Sequence, residues 1–431
     1  MNKRKAGGMW AAIVVFGLMG QIAWTVENMY FNVFIYKMFH ASAADISLMV
    51  TASAVSAALT TVLMGALSDK LGRRRAFIAG GYTLWGVSIL LFSIVRMDVL
   101  TPAAGSQAAA ASLGITLSIL LDCVMTFFGS TANDAAYNAW LTDLGDETNR
   151  GRIEGLNSMM PLLSILIVFG GFMSFSLDNP KSWTTIFLII GGVVLATGIL
   201  GFFTIQESEA LKPVPARYID LLLHSFKIHT IKGNKALYLL FGCFSVFGVS
   251  IQIFMPYLIL YYEEALKLDA YVLIMAPAVI AASVCTFFYG RVFDKFGFAR
   301  SIPLPLLTLS TGYILFYLSK NTSVVFIASL LMMIGYLTGM AVFGAAIREH
   351  TPEGKAGEFQ GVRIISQVLL PGVIGPAIGA YVLRNADYVV NQDGTTSFIP
   401  NESIWFAALA ALILLIILMS VYALFKRRKQ A

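Results

Sequence analysis

Polar residues break this chain into twelve long apolar runs. They cover about 9–38, 46–67, 76–95, 115–141, 154–176, 183–204, 236–261, 270–290, 301–319, 322–346, 361–383 and 403–425. Each holds the ~20 apolar residues that a helix needs to cross a bilayer. The pattern therefore predicts an all-α polytopic membrane protein with twelve transmembrane helices. The longest polar interruption, about 206–235, follows the sixth run and contains Pro213 and Pro215. It predicts an N-terminal six-helix bundle (1–205), a cytoplasmic linker (206–235) and a C-terminal six-helix bundle (236–431). Inside the linker, Tyr218–Lys227 mixes apolar and basic residues and reads as a connector or as a helix on the membrane face. Between the last two runs, Asn391–Gly394 signals a turn, with a small hairpin around it.

Two of the polar breaks repeat each other. Gly65–Arg75 reads GALSDKLGRRR and Gly290–Arg300 reads GRVFDKFGFAR. Gly65, Asp69, Lys70, Gly72 and Arg75 align with Gly290, Asp294, Lys295, Gly297 and Arg300. An echo at half-chain spacing predicts a duplicated architecture of two pseudo-symmetric bundles. Positive charge beside the bilayer explains the arginine run but not the repeated aspartates and glycines. Asp69, Gly72, Arg73, Arg75, Asp294, Gly297 and Arg300 are thus candidate gating residues, forming weak ion pairs suited to a switch between balanced states.

Composition agrees with the pattern. The 431 residues are 58% hydrophobic and 13% charged, with a mean hydropathy of +0.76; a soluble domain carries about a quarter charged residues. The net charge of +6 raises the question of an anionic partner. With the N-terminus inside, however, 24 Lys and Arg fall on cytoplasmic segments and six on external ones. That alternation is positive-inside bias, which predicts cytoplasmic termini in a bacterial inner membrane and no nucleic-acid surface. Ala41-Ser42-Ala43 resembles a cleavage site, but the apolar run before it is too long for a signal peptide and contains Glu27. Cys123, Cys243 and Cys285 are isolated in apolar runs and read as small core residues. No HExxH, P-loop, GxSxG or Cys/His cluster occurs, so no enzyme, metal site or cofactor is expected.

Ionisable and amide groups inside the apolar runs are the candidate chemistry, because they are costly there unless they face a cavity or a partner. In the fourth run, Asp122, Thr126, Gly129, Asn133, Tyr137 and Trp140 recur at steps of three and four, forming one helical face. Lining a cavity is the favoured reading of that face; hydrogen bonding between helices is the other. Counting back from Asp143 at 1.5 Å per residue, Asp134 lies roughly 13 Å along the helix and Asp122 roughly 31 Å, at the outer boundary. Asp134 is therefore the better candidate for cation coupling, with structural pairing as the alternative. In the first run, Gln21, Trp24, Glu27 and Asn28 combine amides, a carboxyl and an aromatic within two turns. Sugar sites use such groups to bond hydroxyls and cover the apolar sugar face. Asn133, Tyr137, Gln252 and Tyr336 are further candidate substrate contacts, and Glu27 a second candidate for coupling. Tyr257, Tyr261 and Tyr262 read equally as an interfacial aromatic belt.

GALSDKLGRRR between the second and third runs resembles the signature loop of the major facilitator superfamily, and GRVFDKFGFAR resembles its weaker echo. The resemblance implies the major facilitator fold, two six-helix bundles and secondary transport by alternating access. Asn133–Leu144 followed by Asn149-Arg-Gly-Arg152, together with Gly20–Asn28, resembles the glycoside–pentoside–hexuronide cation symporters. The run from Gly72 to Ile78 also resembles proton-coupled sucrose carriers. In the former group an aspartate close to Asp134 serves the coupling cation. That group also carries two aspartates in the second helix, where this chain has Ala57 and Thr61. Their loss argues against a Na⁺ site and for H⁺ or facilitated diffusion. The expected function is proton-coupled symport of a sugar or glycoside by a monomer in the lipid bilayer; the alternative is a proton-linked exporter of drugs or other metabolites.

Overall fold

A computed structural model of the protein describes residues 3–145, 149–207, 228–352, 359–391 and 395–430. Twelve helices among them are long and apolar enough to cross a membrane: α1 (Gly8–Phe39), α2 (Ala43–Leu71), α3 (Arg75–Ile94), α4 (Gln107–Leu144), α5 (Gly155–Phe172), α6 (Pro180–Thr204), α7 (Lys235–Ala265), α8 (Val272–Phe296), α9 (Phe298–Leu318), α10 (Thr322–His350), α11 (Gly361–Leu383) and α12 (Ser403–Ser420). Each corresponds to one predicted apolar run. Side-chain oxygens set several starts. Ser42 accepts from Asp45 N while the Asp45 carboxylate receives Ser42 N–H, and Ser106, Asn179 and Asn321 cap α4, α6 and α10. Such caps satisfy backbone donors that a helix start leaves without partners.

The chain forms two compact units, Met1–His224 with α1–α6 and Ser225–Ala431 with α7–α12. In the first, α1 packs on α5 and α6, α3 on α4 and α6, and α2 on α4. In the second, α7 packs on α11 and α12, α9 on α10 and α12, and α8 on α10. Adding six to each helix of the first set yields the second, so the duplication extends from the loop sequences to the packing. The α3–α6 contact depends on missing side chains: a Cβ at Gly191 would sit 2.9 Å from Leu90 N, and Gly86 and Gly198 rest on the backbone of Leu195 and Thr83. Helices in lipid associate through such close van der Waals contact rather than by the hydrophobic effect.

Several helices depart from α geometry. π-helical turns occur at Glu27–Phe31 in α1, Ser130–Tyr137 in α4, Tyr261–Ala265 in α7 and Ile365–Leu369 in α11. A π turn takes more residues per turn and so shifts the phase of every side chain beyond it. Strands β1 (Tyr388–Val390) and β2 (Thr396–Phe398) pair antiparallel between α11 and α12, while the turn residues 392–394 between them lie outside the described set. The stretch Tyr218–Lys227 also lies outside it. Two expectations are corrected. Tyr257, Tyr261 and Tyr262 are fully buried and form no interfacial belt; their hydroxyls reach Pro376 O, Phe316 O and the Ser329 hydroxyl. Cys285 is exposed rather than a core residue.

Candidate functional site

The buried chemistry of the N-terminal unit centres on Glu27, where α1 enters its π turn. The Glu27 side chain is 7% exposed, and its Oε1 takes hydrogen bonds from Ser53 of α2 at 2.7 Å and Thr126 of α4 at 3.0 Å. Ser53 Oγ and Thr126 Oγ1 are themselves 2.8 Å apart, so the three oxygens close a ring. Glu27 Oε2 is buried with no hydrogen-bond partner. Asp122, one turn before Thr126, is 2% exposed and faces Glu27 and the Ser53 hydroxyl, and its Oδ1 also lacks a partner. No Lys, Arg or His among the described residues pairs with either carboxyl.

Asp122 is the main residue that counting along the sequence passes over. α4 is 38 residues long, roughly 57 Å at 1.5 Å per residue against a core of about 30 Å. Asp122 lies fully inside the unit, whatever its depth along the helix. Asp134 is a separate group. Its carboxylate accepts from Ser130 Oγ at 2.9 Å within the α4 π turn, and it is partly exposed.

The polar face of α4 is occupied by neighbouring helices rather than by open space. Asn133 Nδ2 donates to the Tyr82 hydroxyl at 2.8 Å; Tyr82 donates to Phe16 O at 2.5 Å and Tyr137 to Ile13 O at 2.7 Å. Trp140 Nε1 donates to Gln206 O at 2.8 Å. Gly17 and Gly20 make room for these groups: a Cβ on Gly17 would lie 2.6 Å from the Tyr137 hydroxyl. Asn133 and Tyr137 therefore join α1, α3 and α4, which is the interhelical reading of the face and not the favoured cavity-lining one.

Along α1, Gln21 and Trp24 are partly exposed and Asn28 is exposed. Trp24 packs one face on Trp85, with ring centroids 4.9 Å apart, and both indole N–H groups are buried without partners. The Asn28 amide donates to Trp24 O at 2.8 Å. In the C-terminal unit, Gln252 is partly exposed on α7 where Gly375 of α11 abuts it. Tyr336 is partly exposed on α10 near Tyr313.

Among the described residues, the ion pairs at the α2–α3 turn belong to Arg74, not to Arg73 or Arg75, whose side chains are exposed. Gly72 takes the left-handed conformation that ends α2 (φ 59°), which turns the next residues back under the helix. Arg74, 4% exposed, reaches Asp69 at 2.7 Å, Asp143 at 2.8 Å and Ser68 Oγ at 2.7 Å. Burial opposes its charge, but Asp143 and Asp69 more than offset this and hold its pKa above the ordinary value. Glu207, just past α6, accepts from the backbone N–H groups of Arg74 and Arg75 at 3.2 Å each. The second loop has no such lock. Ala299 stands where the first copy has Arg74, and Asp294 and Arg300 are exposed without an ion pair among the described residues. Gly297 keeps a positive φ of 70°, and Tyr289 Oη donating to Ser301 O at 2.6 Å holds the turn.

Residues 9–376 match the profile of the Major Facilitator Superfamily. No curated protein sequence matches at a significant level. Among solved structures, the chain is similar to a point mutant of nucleoside transporter NupG (TM-score 0.71, 13% identity, 95% of this chain and 98% of that one). It is also similar to the xylose transporter XylE from E. coli in a partially occluded inward open conformation (0.70, 13%, 95% and 98%). A bacterial homologue of the human lysosomal transporter Spinster follows at 0.69, 14%, and 97% of both chains. At these identities the likeness shows the fold alone.

Proposed function

The chain belongs to the Major Facilitator Superfamily, and from that premise we propose that it couples proton movement to symport of a sugar or glycoside by alternating access. The observation that carries the coupling is the pair Glu27 and Asp122, two buried carboxyls that pair with no cationic side chain among the described residues. Two uncompensated charges in one dry site are prohibitive unless a small cation joins them. At positions 57 and 61, α2 carries Ala57 and Thr61 rather than carboxylates, which favours H⁺ over Na⁺. Asp134, which accepts from Ser130, serves as a further station for the cation. Trp24, Gln21 and Asn28 offer an aromatic and two amides on the exposed part of α1, a set suited to hydroxyl-rich solutes. Two similar folds support a polar cargo: NupG is a nucleoside transporter and XylE a proton:xylose symporter. The Arg74 cluster closes the cytoplasmic end in one state and opens in the other.

Proteoliposomes containing the full chain test this reading. With an imposed inward proton gradient, one member of a panel of monosaccharides, glycosides and nucleosides should accumulate. Asp134→Asn should lose that accumulation while keeping exchange of the same solute. Accumulation driven only by an outward gradient of drug-like cations would replace symport by export.

A further inference from the structure

Glu27 Oε1, Ser53 Oγ and Thr126 Oγ1 lie 2.7, 2.8 and 3.0 Å from one another, three contacts that all fall within hydrogen-bond distance. Each contact needs one hydrogen. The two hydroxyls supply two, because a serine or threonine has a single O–H to donate. An ionised Glu27 supplies none and leaves one side of the ring without a hydrogen. A carboxylic acid at Glu27 supplies the third, and each oxygen then donates to the next around the ring. The partner atoms agree: Glu27 Oε2 is buried with nothing donating to it, which suits the carbonyl oxygen of an acid better than half of a charged carboxylate.

We propose that the ring of Glu27, Ser53 and Thr126 holds one proton, that Asp122 is the acceptor to which it passes, and that Ser53 is the relay between them. The proposal rests on the proton-coupling reading above and names its site. The step balances. Ser53 gives its hydrogen to the Asp122 carboxylate and takes the Glu27 hydrogen, so two O–H bonds break and two form. The pair then carries the same single proton, now on Asp122. The ionisable groups near Glu27 are Asp122 and Asp134 of α4, and Cys123 stands beside the pair. Cys123 O also accepts from Ser56 at 3.0 Å, which fixes the α2–α4 register around the ring.

Infrared difference spectroscopy of the purified full chain tests this without a known cargo. At neutral pH the parent should show one buried carboxylic-acid C=O band, at the frequency of a carbonyl oxygen that accepts no hydrogen bond. Glu27→Gln and Asp122→Asn should each displace or remove that same band, because the proton belongs to the pair. Ser53→Ala and Thr126→Val should each shift it by removing a member of the ring through which the acid O–H donates. Asp134→Asn should leave it in place. Four results would overturn the proposal: no such band in a folded parent, a band insensitive to Glu27→Gln and Asp122→Asn, one lost in Asp134→Asn, or one bleached by NaCl or LiCl. The last would make the site one for a metal cation. Failure to find a transported sugar would leave the band untouched, so the two readings fail separately.

Discussion

Within a run of three arginines, position along the turn decides which one matters. Gly72 ends α2 in the left-handed region, and the chain that follows delivers Arg74, not its neighbours, under the helix to Asp69 and Asp143. Removing one partner of a buried ion pair leaves the others uncompensated. Asp69 keeps 44% of its side chain exposed and Asp143 22%, so part of that cost is screened. Arg74→Ala should lower stability by about 2–3 kcal/mol, whereas Arg73→Ala and Arg75→Ala should stay within about 0.5 kcal/mol. Thermal melting in detergent distinguishes the three. Spacing alone cannot single out Arg74, because GRRR offers three equivalent cations until the turn geometry is known. Glu27 is legible as a costly group in an apolar run; its partners are not, since Ser53 and Thr126 stand 26 and 99 residues away.

At the scale of elements, apolar run length predicts the helices, and phase within them is where inference fails. The stripe on α4 assumes a period of 3.6 across residues that form a π turn, and the face it marks is the one that packs on α1 and α3. Counting from one end passes over Asp122 because distance along a helix does not show which neighbours a side chain packs against. The α3–α6 seam supplies a test of packing. Gly80 and Gly86 share α3, yet a Cβ on Gly80 meets nothing within 4 Å while one on Gly86 collides with the backbone of Leu195. Gly80→Ala should be neutral or slightly stabilising, by up to about 1 kcal/mol, since alanine is the better helix former. Gly86→Ala should cost about 3 kcal/mol, because backbone cannot yield as a side chain does. Parallel melting curves of the two variants provide the comparison.

Across the whole molecule, the five helix pairings of the N-terminal unit recur in the C-terminal one, but the chemistry does not. Among the described residues, the buried polar side chains of α7–α12, aromatic ones aside, are all serine or threonine: Ser245, Ser250, Ser301, Ser329, Thr338 and Ser366. Glu27, Asp122, Asn32, Asn133 and Arg74 all lie in the other unit. Ser250, which donates to Ala408 O at 2.8 Å, serves α7–α12 packing. Ser250→Ala should lower the melting temperature, at a cost of about 1 kcal/mol, and leave the number of protons moved per solute unchanged in flux assays. The repeated loop announces two equal halves; the missing counterpart of Arg74 at Ala299 shows that equality of shape survived longer than equality of charge. A saturation library should therefore return two different tolerance maps. In α7–α12 the penalties should follow side-chain volume and ignore polarity at most positions. In α1–α4 isosteric changes that erase a single carboxyl or amide should be selected against even where the fold is kept, so the ancestry of one duplicated gene would be written as two distinct regimes of selection.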